Sequence, residues 1–145
     1  GRNGDDEDDS MRAVVERADP TIADQIGAVL LRRAIPAVVD GDHERFGAAV
    51  AEIGRLNGAW YADEQGGVYR PPVGDVIARL QESTAVSGVG QSSWGPAVYA
   101  VTDSERADAA TDAARAAIDA TGLGGEVVTA RPRNRSASVN GKERA

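Results

Sequence analysis

Residues 85–101 read AVSGVGQSSWGPAVYAV, and this stretch decides the fold class. Two strand-like runs rich in β-branched residues, Ala85–Val89 and Ala97–Val101, flank a segment dense in glycine and serine. That pattern predicts a pair of antiparallel strands. The intervening SGVGQSSWGP, Ser87 to Pro96, also carries unusual side chains. Gly88, Gly90 and Gly95 let the backbone take positive φ and approach a neighbour closely. Ser92 and Ser93 add hydroxyls, Gln91 an amide and Trp94 a flat apolar wall. A hairpin needs only two turn residues, so this equipment suits a loop that holds an anionic or planar ligand through N–H groups. The same glycines also serve a plain turn, and composition alone does not choose between the two. The segment lacks the lysine of a GxxxxGK[ST] phosphate loop and does not match a GxGxxG turn opening a helix.

Helical patterns stand on both sides of this stretch. Asp19-Pro20 starts a helix, with Asp as cap and Pro in the first turn. Ile22, Ile26, Val29, Leu30 and Val38 recur at helical spacing. Pro36 interrupts that run and predicts a kink, because it has no N–H for the Arg32 carbonyl. Gly41 ends the helix and Asp42 caps the next, whose face is Phe46, Ala49, Val50, Ile53 and Leu56, closed at Asn57-Gly58. The two form an αα-hairpin. A polar stretch, AWYADEQGGVYR, precedes Pro71-Pro72 and a short helix through Val73, Ile77 and Leu80. After the hairpin, Asp103 or Ser104 caps a helix with Ala110, Ala114 and Ile118 on one face, ending at Thr121-Gly122. EVVTA, 126–130, reads as a last strand. The class is α+β: a small antiparallel sheet covered by helices on one face. Residues 1–10, GRNGDDEDDS, read as an acidic disordered segment, residues 11–135 as the domain and 136–145 as a flexible tail.

Composition removes several function classes. The chain has 145 residues, no cysteine, one histidine and a net charge of −7. Disulfides, thiolate chemistry, cysteine–zinc sites and multi-histidine metal sites are therefore excluded. The acidic balance argues against nucleic acid and anionic membranes as partners. No apolar run approaches the roughly 20 residues that span a bilayer, so a soluble, cytoplasmic protein is expected. Of the 16 basic residues, Lys142 alone is lysine. A surface rich in Asp and poor in Lys stays soluble at high salt, a halophile-like signature that a GC-rich genome also produces.

Two further segments carry candidate chemistry. Gln65, Gly66, Gly67 and Tyr69 combine a sharp backbone excursion with neutral hydrogen-bonding groups, or form an ordinary surface loop. Arg131 and Arg133 follow EVVTA at alternate positions and suit a phosphate or carboxylate, or belong to a solvated basic tail. His43 reads as exposed in the first turn of a helix, Trp60 and Tyr61 as core or interface, and Asp103, Asp108 and Asp112 as a solvated helix face.

Taken together, GVGQSSWGPAVYAV, the preceding QGGVYRPPV, the following VVTARPRNR and the helical ADPTIADQIGAVLLRRAIPAVVDGDHERFGAAVAEI resemble the C-terminal half of archaeal β-ribofuranosylaminobenzene 5′-phosphate synthases. These belong to the GHMP kinase superfamily. The resemblance covers roughly Met11 to Arg135 and implies a ferredoxin-like GHMP C-terminal domain. It implies that the Ser87–Pro96 loop corresponds to the superfamily's third motif, which faces the ligand cleft between two domains. It further implies a decarboxylating transfer of phosphoribose from phosphoribosyl pyrophosphate to 4-hydroxy- or 4-aminobenzoate, on a methanopterin-type route. A magnesium ion is expected on the pyrophosphate, with no carboxylate here assignable to it. The N-terminal half, with its phosphate-holding loop, is absent from this sequence, and that half is an expected partner besides the small-molecule substrates and a possible homodimer. The isolated chain is expected to be inactive without it. The alternatives are the C-terminal domain of an ATP-dependent small-molecule kinase and a non-catalytic ligand-binding or assembly domain.

Overall fold

The computed structural model describes residues 4–16, 19–133, 135, 138–139 and 142–143. Helix α1 spans Gly4–Glu16, α2 Pro20–Val29, α3 Ile35–Asp40 and α4 His43–Trp60. A short α5, Ala62–Gln65, and α6, Val73–Gln81, lead to strands β1, Gly88–Gln91, and β2, Val98–Val101; α7 follows at Ala107–Thr121. Two-residue strands β3, Ser138–Val139, and β4, Lys142–Glu143, close the described chain. The α+β class and the αα-hairpin are as the sequence predicts. Asp19 caps α2 by accepting from Thr21 N, and Asp42 caps α4 by accepting from Arg45 N. Gly41, at φ 68°, ends α3 in the left-handed conformation that glycine adopts without strain.

The kink expected at Pro36 takes another form. Leu30–Ala34 is a π-helical turn, in which the Ile35 N–H reaches back five residues to the Leu30 carbonyl. The wider turn makes room for the proline ring, so α2 and α3 continue as one helical rod with a bulge.

β1 and β2 pair antiparallel, Gly88 opposite Val101 and Gln91 opposite Val98. Bonds from Ser87 N to Val101 O and from Ser92 N to Ala97 O, 2.8 and 2.9 Å, extend the ladder at both ends. Side chains alternate across a strand, and the two faces meet different helices. Val89, Val98 and the buried Val73, Val76, Ile77 and Leu80 of α6 join Ala117 of α7 in the core. Gly88, Gly90 and Tyr99 face α4 instead. An added Cβ at Gly47 would lie 2.6 Å from the Ser87 carbonyl carbon, and one at Gly88 would collide with the Gly47 carbonyl. A Cβ at Gly54 would sit 2.6 Å from the Tyr99 hydroxyl, and Tyr99 also fills the space above Gly90. Tyr99 donates to the Val50 carbonyl at 3.3 Å. The sheet is thus covered on both faces, which corrects the one-sided packing read from the sequence. Glycine at these positions removes the side-chain thickness that would hold the helix and strand apart.

Residues Gly4–Glu16 form α1, on which Val14 is buried. One other expectation is corrected: EVVTA forms no strand. Leu123 packs on the core and Thr129 meets Thr111 at 3.3 Å, so the stretch runs back along α7 and leaves Val128 72% exposed. Without a sheet edge beside it, local β propensity does not make a strand. Within 136–145, β3 and β4 pair antiparallel, while residues 136–137, 140–141 and 144–145 lie outside the described ones.

Asp103 precedes α7, in keeping with its reading as a candidate cap and not with its place on a solvated helix face beside Asp108 and Asp112. It accepts from the Glu105 and Arg106 N–H groups and pairs with the Arg106 guanidinium at 2.7 Å and with His43 at 3.1 Å. Arg106 also touches His43, Glu44 and the Thr84 carbonyl, tying the starts of α4 and α7 together. His43 is exposed, as expected.

Because the helix and strand leave no room for a methyl group, Gly88→Ala destabilises the fold by roughly 1–3 kcal/mol in urea unfolding. Gly27→Ala, in α2 with nothing within 4 Å of the added Cβ, stabilises it by about 0.5–1 kcal/mol. The Arg106 N–H, then its guanidinium, hold the Asp103 carboxyl below its usual 3.8. That stabilisation is present above pH 3.8 and fades as pH falls through the lower folded value. The melting-temperature gap between wild type and Asp103→Asn therefore closes as the pH is taken down through that range, followed by circular dichroism.

Candidate functional site

The candidate site is built around Gln91, the last residue of β1. Because β1 is pressed onto α4, its end projects toward the loop that follows α4 and α5. Gln91 Nε2 donates to Gln65 Oε1 at 3.0 Å and to the Ser93 carbonyl at 2.8 Å. Its Oε1 accepts from the Arg70 N–H at 2.8 Å. Gln65 in turn donates to the carbonyls of Gly58, 3.2 Å, and Val68, 2.8 Å. Two neutral amides thus join the Gln65–Tyr69 segment to the glycine–serine turn, with both Gln91 N–H groups engaged. Buried or half-buried amides that satisfy one another in this way hold a loop in one arrangement.

The turn is tight. Gly95 N bonds to the Ser92 carbonyl at 2.9 Å, which places Ser93 and Trp94 at its two central positions. Ser93 has φ 50° and Gly95 φ 69°. A non-glycine residue in the left-handed region costs about 1–2 kcal/mol, and the bond from Gln91 to its carbonyl opposes that cost. On the other side, Gly66 and Gly67, at φ 84° and 148°, both bond through their N–H groups to the Ala62 carbonyl. They turn the chain back so that Gln65 meets Gln91. Tyr69 packs against the core, and burial pushes its hydroxyl pKa up.

Aromatic rings flank the turn. Trp60 and Tyr61 stack with centroids 5.9 Å apart, and Tyr61 meets Trp94 edge-on at 4.9 Å. Tyr61 donates to the Met11 sulfur at 3.9 Å, which brings α1 to the same corner. The Trp60 indole N–H is enclosed and makes no hydrogen bond.

The structure therefore brings together Gln65, Gly66, Gly67, Gln91, Ser92, Ser93, Trp94 and Gly95. Ser92 and Ser93 are exposed and Trp94 is half-buried. Gly88 and Gly90 belong to β1 rather than to the loop, pressed against α4. Arg131 and Arg133 are exposed on the stretch that follows α7. Sequence reasoning missed Tyr61 as a neighbour of Trp94 and the Arg70 N–H as a partner of Gln91. The adjacent pair Trp60-Tyr61 at a helix end is the signal that points to the first. Nothing in residue type points to a backbone donor. Among the described residues no group of three or more His, Cys, Asp or Glu is placed to hold a metal.

Residues 34–120 match the family GHMP kinases C terminal. The chain belongs to that family. It is also 34% identical over 80 residues to beta-ribofuranosylphenol 5'-phosphate synthase of Methanothermobacter thermautotrophicus. The match covers 55% of this chain and 23% of that protein, so the chain spans about a quarter of the relative's length. No solved structure matches. Among the described residues no helix is long and apolar enough to cross a membrane.

Gln91→Met removes all three of these hydrogen bonds and leaves Gln65, the Ser93 carbonyl and the Arg70 N–H without this partner. It costs about 1–3 kcal/mol and changes the Trp94 emission. Gln91→Glu keeps the acceptor and restores part of the stability at low pH, where the carboxyl is protonated.

Proposed function

We propose that this chain is the C-terminal part of a decarboxylating phosphoribosyl transferase, and that the Gln65–Gln91 junction forms one wall of its substrate site. The reaction replaces the bond from ribose C1 to pyrophosphate with a bond from C1 to the ring carbon of 4-hydroxy- or 4-aminobenzoate that bears the carboxyl group. Pyrophosphate and carbon dioxide leave. Support comes from the synthase of M. thermautotrophicus, similar over 80 residues, and from the junction itself. It joins the glycine–serine turn to the Gln65–Tyr69 segment and is the observation that carries the reading.

Charge builds on the leaving pyrophosphate as the sugar–oxygen bond breaks, and preorganised donors stabilise such charge. In this reading the Ser92 and Ser93 hydroxyls supply donors from the exposed turn. Trp94, braced by Tyr61, offers a flat face to the aromatic acid. Gln91 is a positioning residue, because its amide is committed to Gln65, Ser93 and Arg70. In this reading Arg131 and Arg133 supply guanidinium groups to the phosphates. The match to GHMP kinases C terminal favours, as a second reading, a domain of an ATP-dependent kinase.

The test uses full-length protein that contains this domain, given phosphoribosyl pyrophosphate, 4-hydroxybenzoate and magnesium. Release of pyrophosphate and carbon dioxide is expected, and Ser92→Ala with Ser93→Ala lowers kcat/KM by about tenfold or more at unchanged stability. ATP-dependent formation of a phosphorylated product and ADP would establish the kinase reading instead. No turnover with either set would leave a binding or assembly domain.

A further inference from the structure

Two neighbouring hydrogen-bond donors at the aromatic corner lack good acceptors. The Trp60 indole N–H is enclosed and makes no hydrogen bond among the described residues. Folded proteins rarely leave an enclosed donor unpaired, because it has lost water and gained nothing. The Tyr61 hydroxyl, one residue on, donates to the Met11 sulfur at 3.9 Å, and a thioether is a weak acceptor. Neither group takes part in the amide network of Gln65 and Gln91, so holding the two loops together does not account for them.

The rings set how far apart these donors lie. Trp60 and Tyr61 stack with centroids 5.9 Å apart and planes 22° from parallel, so both donors are within reach of one small aromatic molecule. An indole N–H only donates. The complementary groups are therefore oxygen acceptors, and a carboxylate or phenolate oxygen strengthens such a bond. Tyr61 meets Trp94 edge-on at 4.9 Å, so the corner adjoins the exposed Ser92–Ser93 turn, and its rings suit a flat ligand. Met11 of α1 stands at the Tyr61 hydroxyl. Its unbranched side chain is flexible and exposed, and Val14 alone among the described side chains of α1 is buried. An element held by so little burial opens at low cost. We propose that Trp60 and Tyr61 donate to the oxygen atoms of a flat aromatic ligand, and that Met11 covers this subsite until the ligand displaces it. Taking that ligand to be the aromatic acid rests on the reaction proposed above. When it binds, the Trp60 N–H gains an acceptor and Tyr61 exchanges a sulfur for an oxygen.

The proton NMR signals of the indole N–H groups, followed in full-length protein as 4-hydroxybenzoate is added, test this subsite. Trp60→Phe assigns the Trp60 signal. That signal is expected to move downfield as its hydrogen bond forms. Tyr61→Phe raises the Kd by about tenfold, with circular dichroism unchanged. Met11→Ala removes the cover and lowers the Kd by about threefold or more, because the open form no longer has to be reached first. A Trp60 signal that stays in place at every concentration of 4-hydroxybenzoate would overturn the proposal, and so would a Met11→Ala protein that binds no more tightly. Turnover of phosphoribosyl pyrophosphate by the same protein would then leave the transferase reading standing. A Trp60 shift without turnover would remove that reading and keep the subsite.

Discussion

The contact on which the rest of this fold depends is the close approach of α4 to β1. Gly47 meets Ser87 and Gly88, and Gly54 lies over Gly90 and the Tyr99 hydroxyl. Farther along the same helix, a Cβ at Gly58 would collide with the Val68 carbonyl. Gly47, Gly54 and Gly58 are seven and four residues apart and share one helix face. A side chain at any of them would push the backbones apart. With the gap closed, a sheet of only two strands is held between α4 on one side and α6 and α7 on the other. Isolated hairpins are marginal in water, and this one is stable because both faces are buried.

The same contact sets the candidate site. Pressing β1 onto α4 fixes where its last residue, Gln91, emerges. Gly58 fixes how closely the chain at Val68 passes α4, and Gln65 bonds to the carbonyls of both Gly58 and Val68. The two amides meet because two separate glycine contacts reference them to one helix. What the turn then presents outward is Ser92, Ser93 and Trp94. The glycines of the segment thus have different roles, with Gly88 and Gly90 serving the packing on α4 and Gly95 serving the turn.

Much of this was legible in the sequence where local chemistry decides. Asp19-Pro20, Gly41-Asp42 and Thr121-Gly122 mark helix ends through capping groups that act within a few residues, and the structure has ends there. The β-branched runs flanking the glycine–serine segment mark the hairpin. Legibility failed where a distant partner decides. EVVTA has the composition of a strand, but α7, not a sheet edge, lies beside it. Pro36 predicts a break, and the Leu30 carbonyl with the Ile35 N–H turns that break into a π turn. Gln65 and Gln91 are 26 residues apart, and no spacing rule joins two neutral amides across a loop.

If the helix–strand contact holds the site together, amide hydrogen exchange at Arg70 reports it with the fewest intermediate steps. The Arg70 N–H is bonded to Gln91 and lies far along the chain from Gly90. In Gly90→Ala the added methyl meets Tyr99 and lifts β1 from α4. Arg70 exchange is then expected to accelerate by about tenfold or more, since Gln91 moves with its strand. An unchanged rate in a folded Gly90→Ala protein would show that the two loops hold each other without the helix, and would contradict this dependence.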